Sequence, residues 1–266
     1  MKALGIDIGG SGIKAAVVDI AKGELLTERE RLETPEKSTP SAVVEVIRQL
    51  VEHFKWQGPI GIGFPGVVRN DVIHTATNLD DEWIGKNIAA LVTKATKCPA
   101  HVVNDADAAG LAEAAYGAAK NRRGTILLIT LGTGIGSALI HNGRLVPNSE
   151  FGQLEFRGGT TESYAAASVR KQNDMRWGKW SKRVNRVLLH LDGVLSPELI
   201  ILGGGASSKF EKMAQQFDKS LPVVPAQMLN NAGIVGAALA ATHDLPEPDL
   251  KVHSFRAPRP DKTAKG

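Results

Sequence analysis

Two carboxylates stand where their neighbours give them chemical work. Asp105 lies in N-D-A-D-A-A, residues 104–109, where a short strand, His101 to Val103, meets an alanine-rich run with strong helix propensity. A carboxylate at such a strand end, beside Asn104 and facing a cleft, can take the proton of a hydroxyl as it attacks a phosphoryl group. The same residue could do no more than cap the helix that begins there, and Asp107, two positions on, competes for the chemical role. Asp7 sits inside the otherwise apolar run Ala3 to Ile8, a place an acid tolerates only when paired or linked to a metal ion. Directly after it, Gly9, Gly10 and Gly12 remove the Cβ atoms that would hold backbone amides away from a ligand. That is how a phosphate cradle is built.

The elements that position these groups follow from the pattern. Apolar residues resume from Ile13 to Val18, so the glycines join two strands of a hairpin and do not open a helix. L-L-I-T-L-G-T-G-I-G-S-A-L-I, residues 127–140, repeats strand, Gly/Thr turn and strand, which makes the chain two related halves. Two such hairpins across a cleft, one with an acid near a divalent cation, suit phosphoryl transfer. Between them the pattern predicts a third antiparallel strand over Leu25 to Leu32 and a helix over Ser41 to Phe54. A strand follows from Pro59 to Phe64, a small hairpin around Asn70-Asp71, and a helix from Asn87 to Thr96. Further on it predicts helices over Glu162 to Lys171 and Lys179 to Leu191, a buried strand over Pro197 to Leu202, and a small-residue helix over Asn231 to Ala241.

Composition narrows the class. At 266 residues the chain has room for two modest lobes, and 23% charged residues mark an ordinary globular body. We read residues 1–110 as a smaller N-terminal α/β lobe, 111–230 as a larger C-terminal one, with the helix 231–243 packing back on the first. Four prolines and several lysines predict a loosely held tail over 246–266. The single cysteine, Cys98, excludes an internal disulfide and a cysteine-rich metal site. With neither a leader pattern nor an apolar run long enough for a membrane span, the expectation is a soluble, cytoplasmic protein. The formal charge is +4, and residues 170–186 carry seven Arg or Lys against one Asp, interleaved with Trp177 and Trp180. No nucleic-acid reading module accompanies that run, so a solvated helix face or a phosphate polymer is the better expectation.

Taken together, the motifs resemble the ROK sugar kinases, of the actin-like and hexokinase-like ATPase fold, over residues 2 to 243. D-I-G-G-S-G-I-K matches the first phosphate motif of that family, N-L-D-D-E-W its sugar loop and N-D-A-D-A-A its catalytic segment. L-G-T-G-I-G-S matches the second phosphate motif, E-F-G-Q-L-E the sugar-binding carboxylate motif, and L-G-G-G the stretch beside the nucleotide. The resemblance implies that Asp105 is the general base for a sugar 6-hydroxyl. It implies that Asn78, Asn104, Glu150, Gln153 and Glu162 bind sugar hydroxyls, and that Gly9, Gly10, Ser11, Lys14, Thr133 and Gly134 handle phosphate, with Asp7 acting through Mg²⁺. It also implies a homodimer.

Two departures stand out. R-G-G-T-T, residues 157–161, holds no cysteine where many members carry a zinc motif, so no structural zinc is expected. Gln153 replaces the usual His, keeping a hydrogen-bonding amide but not a group that titrates near neutrality. Within the family, the short length, the missing zinc motif, F-P-G-V-V and N-D-A-D-A-A-G-L-A-E look like the members that phosphorylate glucose from inorganic polyphosphate, some of them also from ATP. For such a donor the basic groups Lys171, Arg176, Lys179, Lys182 and Arg183, with Lys209 and Lys212 beside the glycine triplet, form the expected track. The alternatives are an ATP-dependent gluco- or mannokinase and a sugar-binding protein without catalysis. The family's repressors carry a helix-turn-helix ahead of the first phosphate motif, for which the start at Asp7 leaves no room.

Overall fold

The computed structural model describes residues 1–242; the tail expected over 246–266 lies outside them. The first half opens with β1 (Lys2–Gly9) and β2 (Gly12–Asp19), paired antiparallel from Lys2↔Asp19 to Gly9↔Gly12. β3 (Glu24–Leu25) and β4 (Glu30–Leu32) lie along the outer edge of β2. Helix α1 (Pro40–His53) crosses to β5 (Ile60–Phe64), a small hairpin β6 (Val68–Arg69) and β7 (Val72–Ile73) follows, and α2 (Ile88–Thr96) leads to β8 (Ala100–Asn104). The sheet runs β3-β2-β1-β5-β8, with β5 parallel to β1 and β8 parallel to β5.

Helix α3 (Asp105–Tyr116) passes between the halves. The second half contains β9 (Thr125–Leu131), β10 (Ile135–His141) and β11 (Arg144–Val146), a short hairpin β12 (Glu155–Phe156) and β13 (Gly159–Thr160), then α4 (Thr161–Ala165) and α5 (Ala167–Gln172). It closes with α6 (Trp177–Leu195), β14 (Leu199–Gly203), α7 (Phe210–Ala214), β15 (Val223–Pro225) and α8 (Ala232–Ala240). Its sheet runs β11-β10-β9-β14-β15, an antiparallel hairpin edge followed by two parallel strands, the same order as in the first half.

Each sheet is covered on both faces, which is why its parallel strands read as unbroken apolar runs. Leu4, Ile6, Ile60 and Ile62 bury one face of the first sheet against Val43, Ile47 and Leu50 of α1 and Val92 of α2. In the second, Leu127, Ile129, Ile200 and Leu202 bury against Trp180, Val184 and Leu188 of α6. The other face of the first sheet receives α8. Glycines make that contact possible: a Cβ on Gly5 would strike the Ile234 carbonyl, and one on Gly61 the Ala237 carbonyl. On its far side α8 touches α3 as closely, since a Cβ on Gly236 would collide with the Ala108 carbonyl. The small residues of α8 therefore set the spacing between sheet and α3, and with it the position of Asp105.

Two segments depart from the sequence reading. The strand expected over Leu25 to Leu32 is broken, because the Thr27 hydroxyl takes the Val17 N–H (3.1 Å) that a continuous ladder would use. Residues 26–29 then bulge between β3 and β4. The helix expected over Glu162 to Lys171 is cut at Ala166, whose ψ of 154° is extended. The indole N–H of Trp180 takes the freed carbonyls of Ala165 (3.0 Å) and Ala166 (3.2 Å), and the Ser168 N–H turns to Gly132 (3.1 Å).

Candidate active site

Asn104 is the residue that fixes the site. As N-cap of α3 its Oδ1 accepts from the N–H groups of Ala106 (2.9 Å) and Asp107 (3.0 Å), while its amide donates to the Gly66 carbonyl (3.0 Å). Capping done by Asn104 leaves Asp105 free to face the cleft, its carboxylate accepting from the adjacent Ala106 N–H at 2.8 Å. Burial, and then the nearby charges of Asp7 and Glu150, push the Asp105 carboxyl up to about 7. Asp107 is fully buried and faces elsewhere. Its Oδ2 accepts from Asn148 N–H at 2.7 Å, its Oδ1 has no partner among the described residues, and burial chiefly raises it to about 7 as well.

Around Asp105 the two glycine turns close a cavity of about 270 Å³. From the first half it is lined by Gly9, Gly10, Gly66, Asn78, Asn104 and Asp105. From the second come Thr133, Gly134, Glu150, Gln153 and Glu162. Gly10 is needed for approach, since a Cβ there would lie 3.1 Å from Asn78 Cβ. The Asn78 loop is itself tied down by Trp83, whose indole donates to the Ser38 carbonyl at 2.9 Å. Glu162 accepts from Ile135 N–H at 2.7 Å, anchoring the second turn. Glu150 stands at the exposed edge of the cavity, where partial desolvation followed by the charge of Glu162 raises its carboxyl.

A second cavity, of about 250 Å³, adjoins the first and shares with it Asp105, Ala106, Thr130 and Gly204. Asp7 and Lys14 line it, paired at 3.4 Å, together with Gly203, Gly205, Asn230 and Gly233. Asp105 thus stands on the wall common to both spaces. A hydroxyl held in one and a phosphoryl group presented from the other would meet at its carboxylate.

Other expected residues fall outside. Ser11 lines neither cavity, although its carbonyl accepts from Arg31 at 2.6 Å. Lys171, Arg176, Lys179, Lys182, Arg183 and Lys209 also line neither, and Arg183 lies over the Tyr164 ring at 5.0 Å. Conversely, Thr130 is not among the residues the sequence singles out; it reaches the site, beside the expected glycine triplet, through the register Gly203↔Thr130 between β14 and β9, which no local pattern displays. Segment 157–161 comprises the β12–β13 turn, where Arg157 and Gly158 stand at positive φ, then β13 and the first residue of α4.

A cation between donor phosphates and protein would find oxygen ligands here. Among the described residues no three His, Cys, Asp or Glu side chains cluster as a metal site. Mg²⁺ does not ask for one, since it is commonly held by one or two carboxylates plus substrate phosphates. Asp7, on the wall of the second cavity, offers such a carboxylate.

Comparison with known proteins matches the geometry. The ROK family model matches residues 3–150. Polyphosphate glucokinase of Mycobacterium tuberculosis (strain CDC 1551 / Oshkosh) is 48% identical over 241 residues, covering 90% of this chain and 91% of that protein. The chain belongs to the ROK family. Among solved structures, the inorganic polyphosphate/ATP-glucomannokinase of Arthrobacter sp. strain KM superposes with a TM-score of 0.86 at 44% identity, over 90% of this chain and 97% of that one. A ROK family glucokinase from Streptomyces griseus, solved with glucose and AMPPNP, shares the fold with a TM-score of 0.77 at 24% identity, over 91% and 99% of the two chains. The mixed α/β architecture of two like halves is the actin-like ATPase fold of ROK sugar kinases.

Proposed function

We propose that the chain is a polyphosphate glucokinase, moving the terminal phosphoryl group of inorganic polyphosphate, and also of ATP, to the 6-hydroxyl of glucose. The observation that carries the reading is the place of Asp105, on the wall between two cavities and with its carboxyl raised to about 7. The identities of 48% and 44% to a polyphosphate glucokinase and a polyphosphate/ATP-glucomannokinase support the choice of donor and sugar.

In this reading glucose occupies the cavity of Asn78, Glu150, Gln153 and Glu162, and the donor enters the cavity of Asp7 and Lys14. The glycine turns turn backbone N–H groups toward the phosphoryl group, with Thr133 beside them. Asp105 accepts the proton of the 6-hydroxyl as the oxygen attacks, and its raised pKa makes it a stronger base for that proton than an ordinary carboxylate. Asp7 would hold Mg²⁺, whose charge would neutralise the donor phosphates. Asn104 has its side chain committed to the helix cap and to Gly66, so it shapes the sugar pocket chiefly by holding Asp105. The protein works in the cytoplasm as a homodimer, on free sugar and without nucleic acid or membrane. No described helix is long and apolar enough to cross a membrane.

The test is the initial rate of glucose 6-phosphate formation with Mg²⁺, comparing nucleotide-free polyphosphate with ATP at matched terminal phosphate. Turnover with polyphosphate alone in the tube is the expected result; turnover with ATP only would make the chain an ordinary ATP-dependent glucokinase.

A further inference from the structure

A cavity of about 250 Å³ holds only the first few phosphates of a polymer, so a long donor must leave it across the surface. Its rim is marked by Lys14 and Asn230. Two arginines that the sequence motifs do not include lie at that rim. Lys14 of β2 stands directly opposite Arg31 of β4, so both side chains share one face of the sheet. Arg31 crosses the first glycine turn, donating to the Ser11 carbonyl at 2.6 Å, and a Cβ on Gly12 would meet its guanidinium at 2.6 Å. Arg29, two residues earlier, donates to the Asn230 carbonyl at 3.3 Å. Both arginines are exposed, and among the described residues neither has a carboxylate within salt-bridge distance. Glu30 between them faces the other way, toward His53 at 3.9 Å. Each arginine spends one N–H on a backbone carbonyl and keeps the rest of its fork for another acceptor.

Within the basic run at 170–186, three arginines are engaged elsewhere. Arg170 lies over the Trp177 ring at 4.4 Å, and both Arg183 and Arg186 bond to Tyr164. These cations hold α4, α5 and α6 together.

We propose that Arg29 and Arg31, continuing from Lys14, form a subsite for the tail of a polyanionic donor, carrying it from the donor cavity over the first glycine turn and along β4. This rests on polyphosphate being the donor. A chain of repeating phosphates presents an acceptor to each arginine in turn, whereas ATP has no phosphate beyond its third to present to them.

The test uses the full chain carrying Arg29→Gln and Arg31→Gln together, with KM measured for long-chain polyphosphate, tripolyphosphate and ATP over a range of salt. We expect KM for the long chain to rise about tenfold, as for the loss of charge-assisted bonds at an exposed site. The slope of log KM against log salt should fall by about 1.4, about 0.7 for each phosphate contact removed. KM for tripolyphosphate and ATP should move much less. An equal rise for all three donors would mean that the arginines only brace Ser11 and Asn230, and would overturn the subsite. So would an unchanged KM for the long chain, or a larger rise from Lys179→Gln with Lys182→Gln. Failure of the underlying reading looks different: the unaltered protein would use ATP but no polyphosphate, and the subsite would fall with it.

Discussion

The two halves share one strand order and one kind of glycine turn, yet they bring different chemistry to the cleft. Behind the first turn stand charges: Asp7 paired with Lys14, and Arg31 over Ser11. The second turn is held by neutral and acidic groups, with Glu162 on Ile135 N–H, and the Ser168 N–H on the Gly132 carbonyl. The strand beside each hairpin also ends differently. β5 runs into Pro65-Gly66, whose carbonyl receives Asn104 and so aims Asp105. β14 runs into Gly203-Gly204-Gly205, which contributes clearance and no side chain. A repeated scaffold thus supplies two cradles, and in the proposed reading the side chains at its strand ends would divide the work: acid–base chemistry and donor charge from the first half, sugar-facing carboxylates and open space from the second.

Substitutions can break that division. The largest effect should come from the first half: Asp105→Asn is expected to lower kcat by about 10²–10⁴, the usual worth of a general base, with a melting temperature no lower than that of the unaltered protein. A variant retaining full turnover would remove the chemistry from the first half. Next comes the second half, where Glu162→Gln is expected to raise KM for glucose about tenfold or more while affecting KM for the donor less, because a charge-assisted bond to a hydroxyl and the anchor on Ile135 are weakened together. Equal changes in both constants would show that Glu162 acts only as a brace for the turn.

The scaffold itself is open to test at the α8 contact. Gly61→Ala forces a Cβ into the Ala237 carbonyl, and overpacking of this kind costs about 1–3 kcal/mol. In a chain of this size that lowers the melting temperature by about 2–4 °C for each kcal/mol. The smallest expected effect concerns Asp107. A carboxyl raised to about 7 by burial binds a proton more tightly folded than unfolded, so it lowers stability progressively as pH rises from the ordinary carboxylate range through 7. Asp107→Asn keeps an acceptor for Asn148 and removes the charge. Its melting temperature should exceed that of the unaltered protein at pH 8 and approach it near pH 5; the reverse order would mean that the buried charge is stabilised in place.

How much of this was legible in the chain depended on how local the cause was. Both hairpins could be read because glycines interrupt apolar runs within a dozen residues. Asn87 and Asn104 announced helix starts and cap them in the structure. The break at Ala166 was not legible, since it depends on Trp180 and Gly132, distant in sequence. Local sequence alone left Asp107 competing with Asp105, and it was the family motif that singled out Asp105. The two stand two positions apart on α3, so they face different ways, and Asn104 fixes which one faces the cleft through its cap and its bond to Gly66. The basic run at 170–186 was visible as charge, but its stacking on Trp177 and Tyr164 required the folded packing of three helices.

The most direct test of the division between the halves is the pH dependence of kcat/KM for glucose at saturating donor, measured for the unaltered protein and for the residual activity of Asp105→Asn. The expected result is a rate that falls as pH drops through about 7, as Asp105 takes up its proton, with that limb absent from the variant. A limb that persists in Asp105→Asn, or a profile flat from acid to alkaline pH in the unaltered protein, would contradict the assignment of the base to the first half.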